Sequence, residues 1–374
     1  MRLSICIPTH HGRLAVLKEA IESILGQITS DLKSEIEICV SDNASKDGTQ
    51  EALEKYCRNY PDQIIYHRHS TNKGFPSNIL NLVEMARGEY CWFLGSDDQI
   101  AEGGIALVLK TLEQYPDATG MTANRKNYDA FLYNEMGQDD WYLVPDNPEQ
   151  LHFYTNADEI FTNCSVMHTY MSAQIFKREA WLEVVNEKGA EKFQYHSYYP
   201  HLYGIGAMIL KYPKWLWLPD RIIKYRIGND ASIQHQNNRW HTHTVVVMDG
   251  LAKVWSELIG RRSPVYKTVM YKYFLFGWHP QGVRWLKSFH NYTFWDDLVM
   301  SYYYTKHLYF LPVFWLKTFP SLLIPHPLLK ISYGSRLPLI SRVYYGLRRR
   351  GIDRFHRFSG KTKASLNSTS ASSE

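Results

Sequence analysis

The sequence predicts an α/β fold, a Rossmann-like, doubly wound and mostly parallel sheet followed by a helical, aromatic-rich C-terminal extension. Short apolar runs of strand length alternate with helix-spaced segments through the first third of the chain. Three of those runs end in polar residues, at the carboxyl edge where open α/β sheets bind ligands. Beyond about residue 240 the spacing turns helical and Tyr, Trp and Phe become dense.

In order, the chain from Leu3 to Pro8 is a first apolar strand. Leu14, Leu17, Ala20, Ile21 and Ile24 then fall on one helical face. A second strand from Ile36 to Val40 runs into the turn-rich stretch from Ser41 to Thr49. A helix is expected from about Gln50 to Tyr60, a strand from Ile64 to His67, a helix from about Ser77 to Ala86, and a strand from Tyr90 to Leu94. From about 120 to 235 the pattern is irregular, with a helix near Arg178 to Glu187 and a Trp/Pro-rich stretch from Tyr212 to Pro219. The chain thus divides into a ligand-binding half at 1–120, a second half of the same domain at 121–235, a mostly helical region at 236–358, and a disordered Ser/Thr/Lys-rich tail at 359–374.

Composition narrows the class. A chain of 374 residues supports one large core or two lobes. With 45% hydrophobic and 21% charged residues it reads as neither disordered nor polytopic. Cys6, Cys39, Cys57, Cys91 and Cys164 lack CxxC spacing and mostly sit in apolar runs, as buried thiols in a reducing cytoplasm do. The N-terminus has no charged region leading into an apolar run of signal length, so secretion is not expected. The net charge of +5 is gathered at the end, at Arg336, Arg342, Arg348, Arg349, Arg350, Arg354, Arg357, Lys361 and Lys363. An anionic membrane surface attracts such a gradient. The apolar stretch from Leu308 to Lys330 contains Lys317, His326 and four prolines. It reads as an interfacial segment or a helical lid, since a spanning helix needs roughly 20 uninterrupted apolar residues. The expected location is cytoplasmic, peripheral on the inner face of the membrane. No nucleic-acid partner is expected, because basic and aromatic residues are not interleaved on one face.

Asp97 and Asp98 follow the apolar strand that ends at Leu94. Adjacent carboxylates repel each other unless a cation intervenes, and Mg2+ or Mn2+ shared between one carboxylate and a ligand's phosphates would relieve them. A solvated turn, or a cap on a helix at Gln99, explains the pair as well when it is taken alone. Asp47-Gly48-Thr49 reads as a turn and helix cap. Asp42 sits at a strand tip, where a nucleobase or ribose could bind.

Four blocks stand in order: Leu3-Ser4-Ile5-Cys6-Ile7-Pro8-Thr9; Val40-Ser41-Asp42-Asn43-Ala44-Ser45-Lys46-Asp47-Gly48-Thr49; Asn72-Lys73-Gly74; and Ala86-Arg87-Gly88-Glu89-Tyr90 running on to Leu94-Gly95-Ser96-Asp97-Asp98. Over residues 1–120 this pattern resembles the family-2 glycosyltransferases. The stretches from Ser172 to Trp181 and from Tyr225 to Asp230 look like the abequosyltransferase-like bacterial members of O-antigen synthesis. The resemblance implies a GT-A fold that binds a nucleoside-diphosphate sugar in the first half and a glycan or polyprenyl-linked saccharide acceptor in the second. It implies that Pro8, Thr9 and Asp42 line the nucleoside pocket, with Asn72 and Gly74 on the donor side. Asp97 would reach the ribose and Asp98 would bind Mg2+ or Mn2+. Arg226 is a candidate partner for the diphosphate, because guanidinium binds phosphate bidentately.

Two departures are visible. Thr9-His10-His11 stands where many relatives carry Thr-Tyr-Asn, and the Glu-Asp pair that often supplies the general base at the start of a helix in the second half is missing. Candidate bases are Glu187, Glu191, His196 and His201, the histidines because their ordinary pKa lies near neutrality. Tyr195, Tyr198, Tyr199 and Tyr203 around them read as a sugar-stacking wall or as core. The implied reaction moves a hexose or deoxyhexose onto an acceptor hydroxyl with inversion. The alternative is a nucleotidyltransferase or a non-catalytic nucleotide-sugar-binding module, for which Pro8-Thr9-His10-His11-Gly12-Arg13 is a poor triphosphate loop. A NAD-dependent oxidoreductase is not expected, because no Gly-x-Gly-x-x-Gly follows the first strand.

Overall fold

The structure, a computed structural model, describes residues 1–136, 145, 147–227, 248–272, 294–312 and 314–323. Strands β1 (Leu3–Thr9), β2 (Ile36–Asp42), β3 (Ile64–Arg68) and β4 (Tyr90–Phe93) alternate with helices α1 (Leu14–Leu25), α2 (Thr49–Asn59) and α3 (Gly74–Met85). These four strands are parallel, in the order β3-β2-β1-β4. Every residue of β1, β2 and β4 is buried. Helices cover both faces, so apolar residues run continuously along these strands instead of alternating.

Next come β5 (Gln99–Ile100), α4 (Gly104–Gln114), β6 (Gly120–Tyr128), β7 (His152–Tyr154) and α5 (Ala157–His168). They are followed by β8 (Gln174–Lys177), α6 (Arg178–Lys188), α7 (Ala190–Tyr195), α8 (Pro200–Lys211) and β9 (Trp215–Arg226). The nine-stranded sheet continues β4-β8-β6-β9-β5, with β7 also on β9. Strand β8 is antiparallel to both β4 and β6, whereas β6 and β9 are parallel.

The second half is therefore more regular than expected. The Trp/Pro-rich stretch is part of β9, whose residues Trp215, Leu216, Trp217 and Leu218 are all buried between two layers. Such a strand shows no alternation. Pro219 lies in a bulge: the β6 partner moves from Leu218, opposite Ala123, to Arg221, opposite Asn124. A proline that cannot donate to the ladder is tolerated there. Asn124 Nδ2 donates to the Pro219 carbonyl and satisfies it.

The Arg87-Gly88 block is a structural joint. Gly88 N–H donates to Ser4 Oγ (2.8 Å), which donates to Glu37 Oε1 (2.6 Å). Arg87 donates to the same buried carboxylate from its main chain and from Nε. A Cβ on Gly88 would lie 2.6 Å from Ser4 Oγ, so only glycine lets the chain enter β4 this close to β1.

Helices α9 (Gly250–Ile259), α10 (Pro264–Met270) and α11 (Phe294–Leu308) follow. They belong to the same core: Leu251, Trp255, Tyr266, Met300 and Tyr304 share a cluster with Phe93, Phe176, Trp181 and Leu202. Met1–Leu323 is one compact unit. The expected tail at 359–374 and the C-terminal arginines lie outside the described residues. All five cysteines are free thiols, four buried and Cys57 partly exposed. Among the described residues no helix is long and apolar enough to cross a membrane.

Candidate functional site

The site is assembled at the carboxyl edge of β1, β2 and β4. Register places Thr9 opposite Asp42, and the Thr9 carbonyl accepts from Asn43 N (3.0 Å) and Asn78 Nδ2 (3.2 Å). Asn43 then ties in the third loop: its Oδ1 accepts from Lys73 N (2.7 Å), and its Nδ2 donates to Asn72 Oδ1 (2.7 Å). Asn72 Oδ1 also accepts from Gly74 N, where φ is +82° and glycine carries no steric penalty. Pro8, Thr9, Asp42, Asn72 and Gly74 thus come together at one edge.

Asp42 is fully buried. Its Oδ1 accepts from the main chain and hydroxyl of Ser45, and its Oδ2 accepts from Tyr66 OH (3.1 Å) with Arg68 Nε at 3.6 Å. Ala44, at φ +62°, turns the chain back so that Ser45 can do this. Burial first, then the Asp42 charge, pushes the Tyr66 phenol well up.

The two aspartates after β4 have opposite surroundings. Asp98 is buried; its Oδ2 accepts from Tyr170 OH (2.7 Å) and Ser172 Oγ (2.5 Å), and its Oδ1 from Arg226 N (3.2 Å). Asp97 keeps 22% of its side chain exposed, and its Oδ2 accepts from Arg13 Nη1 at 2.9 Å. Burial raises both carboxyls. Asp98 is pushed up to about 7, the Asp97 charge adding to burial and outweighing its three donors. Arg13 and Arg226 pull Asp97 back down against its burial.

Two of the expected site residues face inward. The carboxylate assigned to the metal, Asp98, is turned inward and occupied by three donors; Asp97 is the one at the opening. Arg226 is turned into the protein as well, its side chain only 3% exposed. Its Nε donates to the Asp97 carbonyl (2.9 Å), Nη1 to the Ala130 carbonyl (2.7 Å) and Nη2 to Glu19. It clamps the Asp tip to α1 and to the turn after β6, with each of its three nitrogens on a protein oxygen.

Of the pair, only Asp97 is placed to meet a hard cation. The pair's chemistry is oxygen only, and two repelling, desolvated carboxyls would gain from a positive neighbour. Among the described residues no group of three His, Cys, Asp or Glu could hold a metal. A cation here would have to complete its shell with ligand oxygens.

The candidate bases separate. Glu187 pairs with Lys211, and Glu191 is exposed on the short α7. His196 bonds Glu257 Oε2 (3.0 Å) and stacks on Tyr203 at 4.4 Å. His201 is the second residue of α8 and packs against Phe75, next to Gly74, with ring centroids 6.2 Å apart. Its Nε2 donates to the Thr169 carbonyl (3.0 Å), so Nδ1 carries the lone pair and has no partner among the described residues. Burial depresses His201 to about 4, and it also lowers His196 against the opposing pull of Glu257. Tyr203 is core, whereas Tyr195 and Tyr198 are exposed.

Sequence reading missed Arg13, Glu19 and Tyr170, and used Ser172 only as a mark of the subgroup. Their partners are distant in sequence, and no spacing announces them.

Residues 4–182 match the profile of glycosyl transferase family 2. This part of the chain belongs to glycosyl transferase family 2. The chain is similar to abequosyltransferase RfbV of Salmonella typhimurium, 37% identical over 48% of this chain and 54% of that protein. The GalNAc(5)-diNAcBac-PP-undecaprenol beta-1,3-glucosyltransferase of Campylobacter jejuni is 34% identical over 32% of this chain and 37% of its own. The chain therefore spans about half or less of the length of these relatives. In fold it is similar to S. aureus TarS 1-349 in complex with UDP-GlcNAc (TM-score 0.58, 16% identity, 83% of this chain and 82% of that one). It is also similar to the Pyrobaculum calidifontis mannosyltransferase PcManGT in complex with GDP-Man and Mn2+ (TM-score 0.53, 14% identity, 88% and 87%). The family-2 region and its helical continuation have the GT-A fold of these transferases.

Proposed function

We propose that the protein transfers a hexose or deoxyhexose from a nucleoside-diphosphate sugar to a hydroxyl of a glycan acceptor, with inversion. The observation that carries this is the joining of the Thr9, Asp42 and Asn72 loops to a half-exposed, half-buried Asp97-Asp98 tip at one sheet edge. The nucleoside would lie along Pro8, Thr9 and the Asn72–Gly74 turn, above the braced Asp42 loop. Mg2+ or Mn2+, when bound, supplies positive charge to the leaving diphosphate. Asp97 is the residue that would hold it, with Asp98 fixing the tip from beneath. Arg13 orients the Asp97 carboxylate.

For the base we propose His201. It begins a helix of the second half, where relatives often place a carboxylate, and it touches both the Gly74 loop and the chain leading to Tyr170. Its Nδ1 lone pair, which has no partner among the described residues, is the acceptor a hydroxyl proton needs.

The Campylobacter relative is named for an undecaprenol-linked acceptor. A polyprenyl-linked saccharide at the inner face of the cytoplasmic membrane is the acceptor class we propose here.

Incubating the protein with CDP-, UDP-, GDP- and dTDP-sugars and Mn2+ tests the reading. Release of one nucleoside diphosphate, dependent on metal and acceptor, is the expected result. With an active wild-type donor identified, Asp97→Asn should lose at least a hundredfold in turnover. Binding of a nucleotide sugar with no transfer to any glycan would favour a binding module instead.

A further inference from the structure

The turn after β6 presents two aromatic rings to solvent. Phe131 is 70% and Tyr133 83% exposed, and the rings lie nearly parallel, 18° apart with centroids at 6.1 Å. The turn is firmly built. Asp129 Oδ1 accepts from Phe131 N (3.1 Å) and Tyr133 N (3.0 Å), and Oδ2 from Asn134 N (3.2 Å) and Nδ2 (2.6 Å). Asp129 N donates to the Asn134 carbonyl, and Met136 N to the Asn127 carbonyl. The Asn134 side chain, followed by these amides, holds the Asp129 carboxyl below its usual range.

Such ordering is not free. Leu132 between the rings adopts φ +58°, a left-handed conformation that a branched side chain rarely takes. Strain of this kind persists where the surroundings over-determine it, often at ligand clamps. Large exposed aromatics held rigid mark a surface that meets something.

The position says what. Arg226 donates from Nη1 to the Ala130 carbonyl and from Nε to the Asp97 carbonyl. One guanidinium thus holds both, within roughly 8 Å of each other by hydrogen-bond lengths, and Phe131 is the next residue along. The turn that carries the two rings therefore begins beside the Asp97-Asp98 tip.

We propose that Phe131 and Tyr133 form the platform on which a pyranose ring of the acceptor stacks. This rests on the transferase reading above. A pyranose offers an apolar C–H face to an aromatic ring and hydroxyls around its edge. Asn134, Glu135 and Lys126 flank the rings with polar groups, Lys126 and Glu135 paired at 3.2 Å. Lys126 and Arg226 balance the carboxylates of Asp129 and Glu135, so the turn has no excess of positive charge, which suits a neutral glycan better than an anionic lipid surface.

Saturation-transfer NMR with methyl glycosides of galactose, mannose, rhamnose and N-acetylglucosamine tests this. Wild type, Phe131→Ala/Tyr133→Ala and Phe131→Trp would be compared, alongside nucleoside-diphosphate thermal shifts and partition to anionic vesicles. The expected result is ring C–H contact with one glycoside, weakened about tenfold in the double alanine variant and kept by Phe131→Trp. Both side chains are exposed, so Tm and the nucleotide shift should not change. Three results overturn the platform: equal contact in wild type and double variant, no contact with any glycoside, or vesicle binding alone lost. A missing nucleotide shift in wild type counts instead against the transferase reading, because the glycoside contacts are measured without donor.

Discussion

At the scale of single residues, surroundings decide roles that composition leaves equal. Asp97 and Asp98 are neighbours in sequence, yet one opens to the cleft with Arg13 and the other is buried under Tyr170 and Ser172. Buried histidines make a second residue-scale point. His168 lies in the core with neither ring nitrogen partnered among the described residues and is depressed to about 3 by burial, as His201 is to about 4. The unfolded chain takes up these protons below about pH 6.5 and the folded chain refuses them until much lower, so stability falls as pH drops through that window. His168→Phe should flatten the fall, measured as Tm against pH between 6.5 and 4; an unchanged acid limb would refute it. Ala44 has φ +62°, so Ala44→Gly should stabilise the fold by about 0.5–1 kcal/mol in urea unfolding. The Asp42 and Asp97-Asp98 positions were legible because strand ends of an α/β sheet can be read from apolar runs. The partners of Arg226 were not legible, since they are two loop carbonyls and the Glu19 carboxylate, all far away in sequence.

Secondary elements show the same division. The alternation of β1 to β4 with α1 to α3 could be read directly, each strand bounded by turn residues. Strands β6 and β9 could not. Trp215 to Leu218 is buried on both faces, Pro219 argues against a strand until the bulge is seen, and β6 enters with Gly120 beneath Trp215. The Ala86–Tyr90 block was read as a family mark, and its physical reason is the Gly88 approach to Ser4. Gly88→Ala should therefore cost about 1–3 kcal/mol, by the usual penalty for forcing atoms into a packed joint, and chemical denaturation of the pair of proteins measures it. Full stability of the variant would mean that β4 can shift away from β1 without loss.

The whole molecule joins the family-2 region to a helical flank through one core, and that flank has an unusual surface. Helix α11 buries Met300, Tyr304 and Leu308 on one side and exposes Phe294, Trp295, Leu298 and Tyr302 on the other. Arg261 and Lys306 lie beside that exposed face. Aromatic residues flanked by basic ones suit a membrane interface, which fits the proposed lipid-linked acceptor. Replacing Trp295, Leu298 and Tyr302 with Ser should reduce partition to anionic vesicles several-fold with Tm unchanged. Undiminished partition would remove α11 from the contact.

Thermal stabilisation by nucleoside-diphosphate sugars, with and without Mn2+, in wild type and Asp97→Asn tests the donor site most directly. A ligand that binds only the folded state adds about 2.7 kcal/mol at a hundredfold excess over Kd. The account predicts a shift with one nucleotide class that grows with Mn2+ in wild type and loses its metal dependence in Asp97→Asn. No shift with any nucleotide, or a metal-dependent shift that survives in Asp97→Asn, would contradict it.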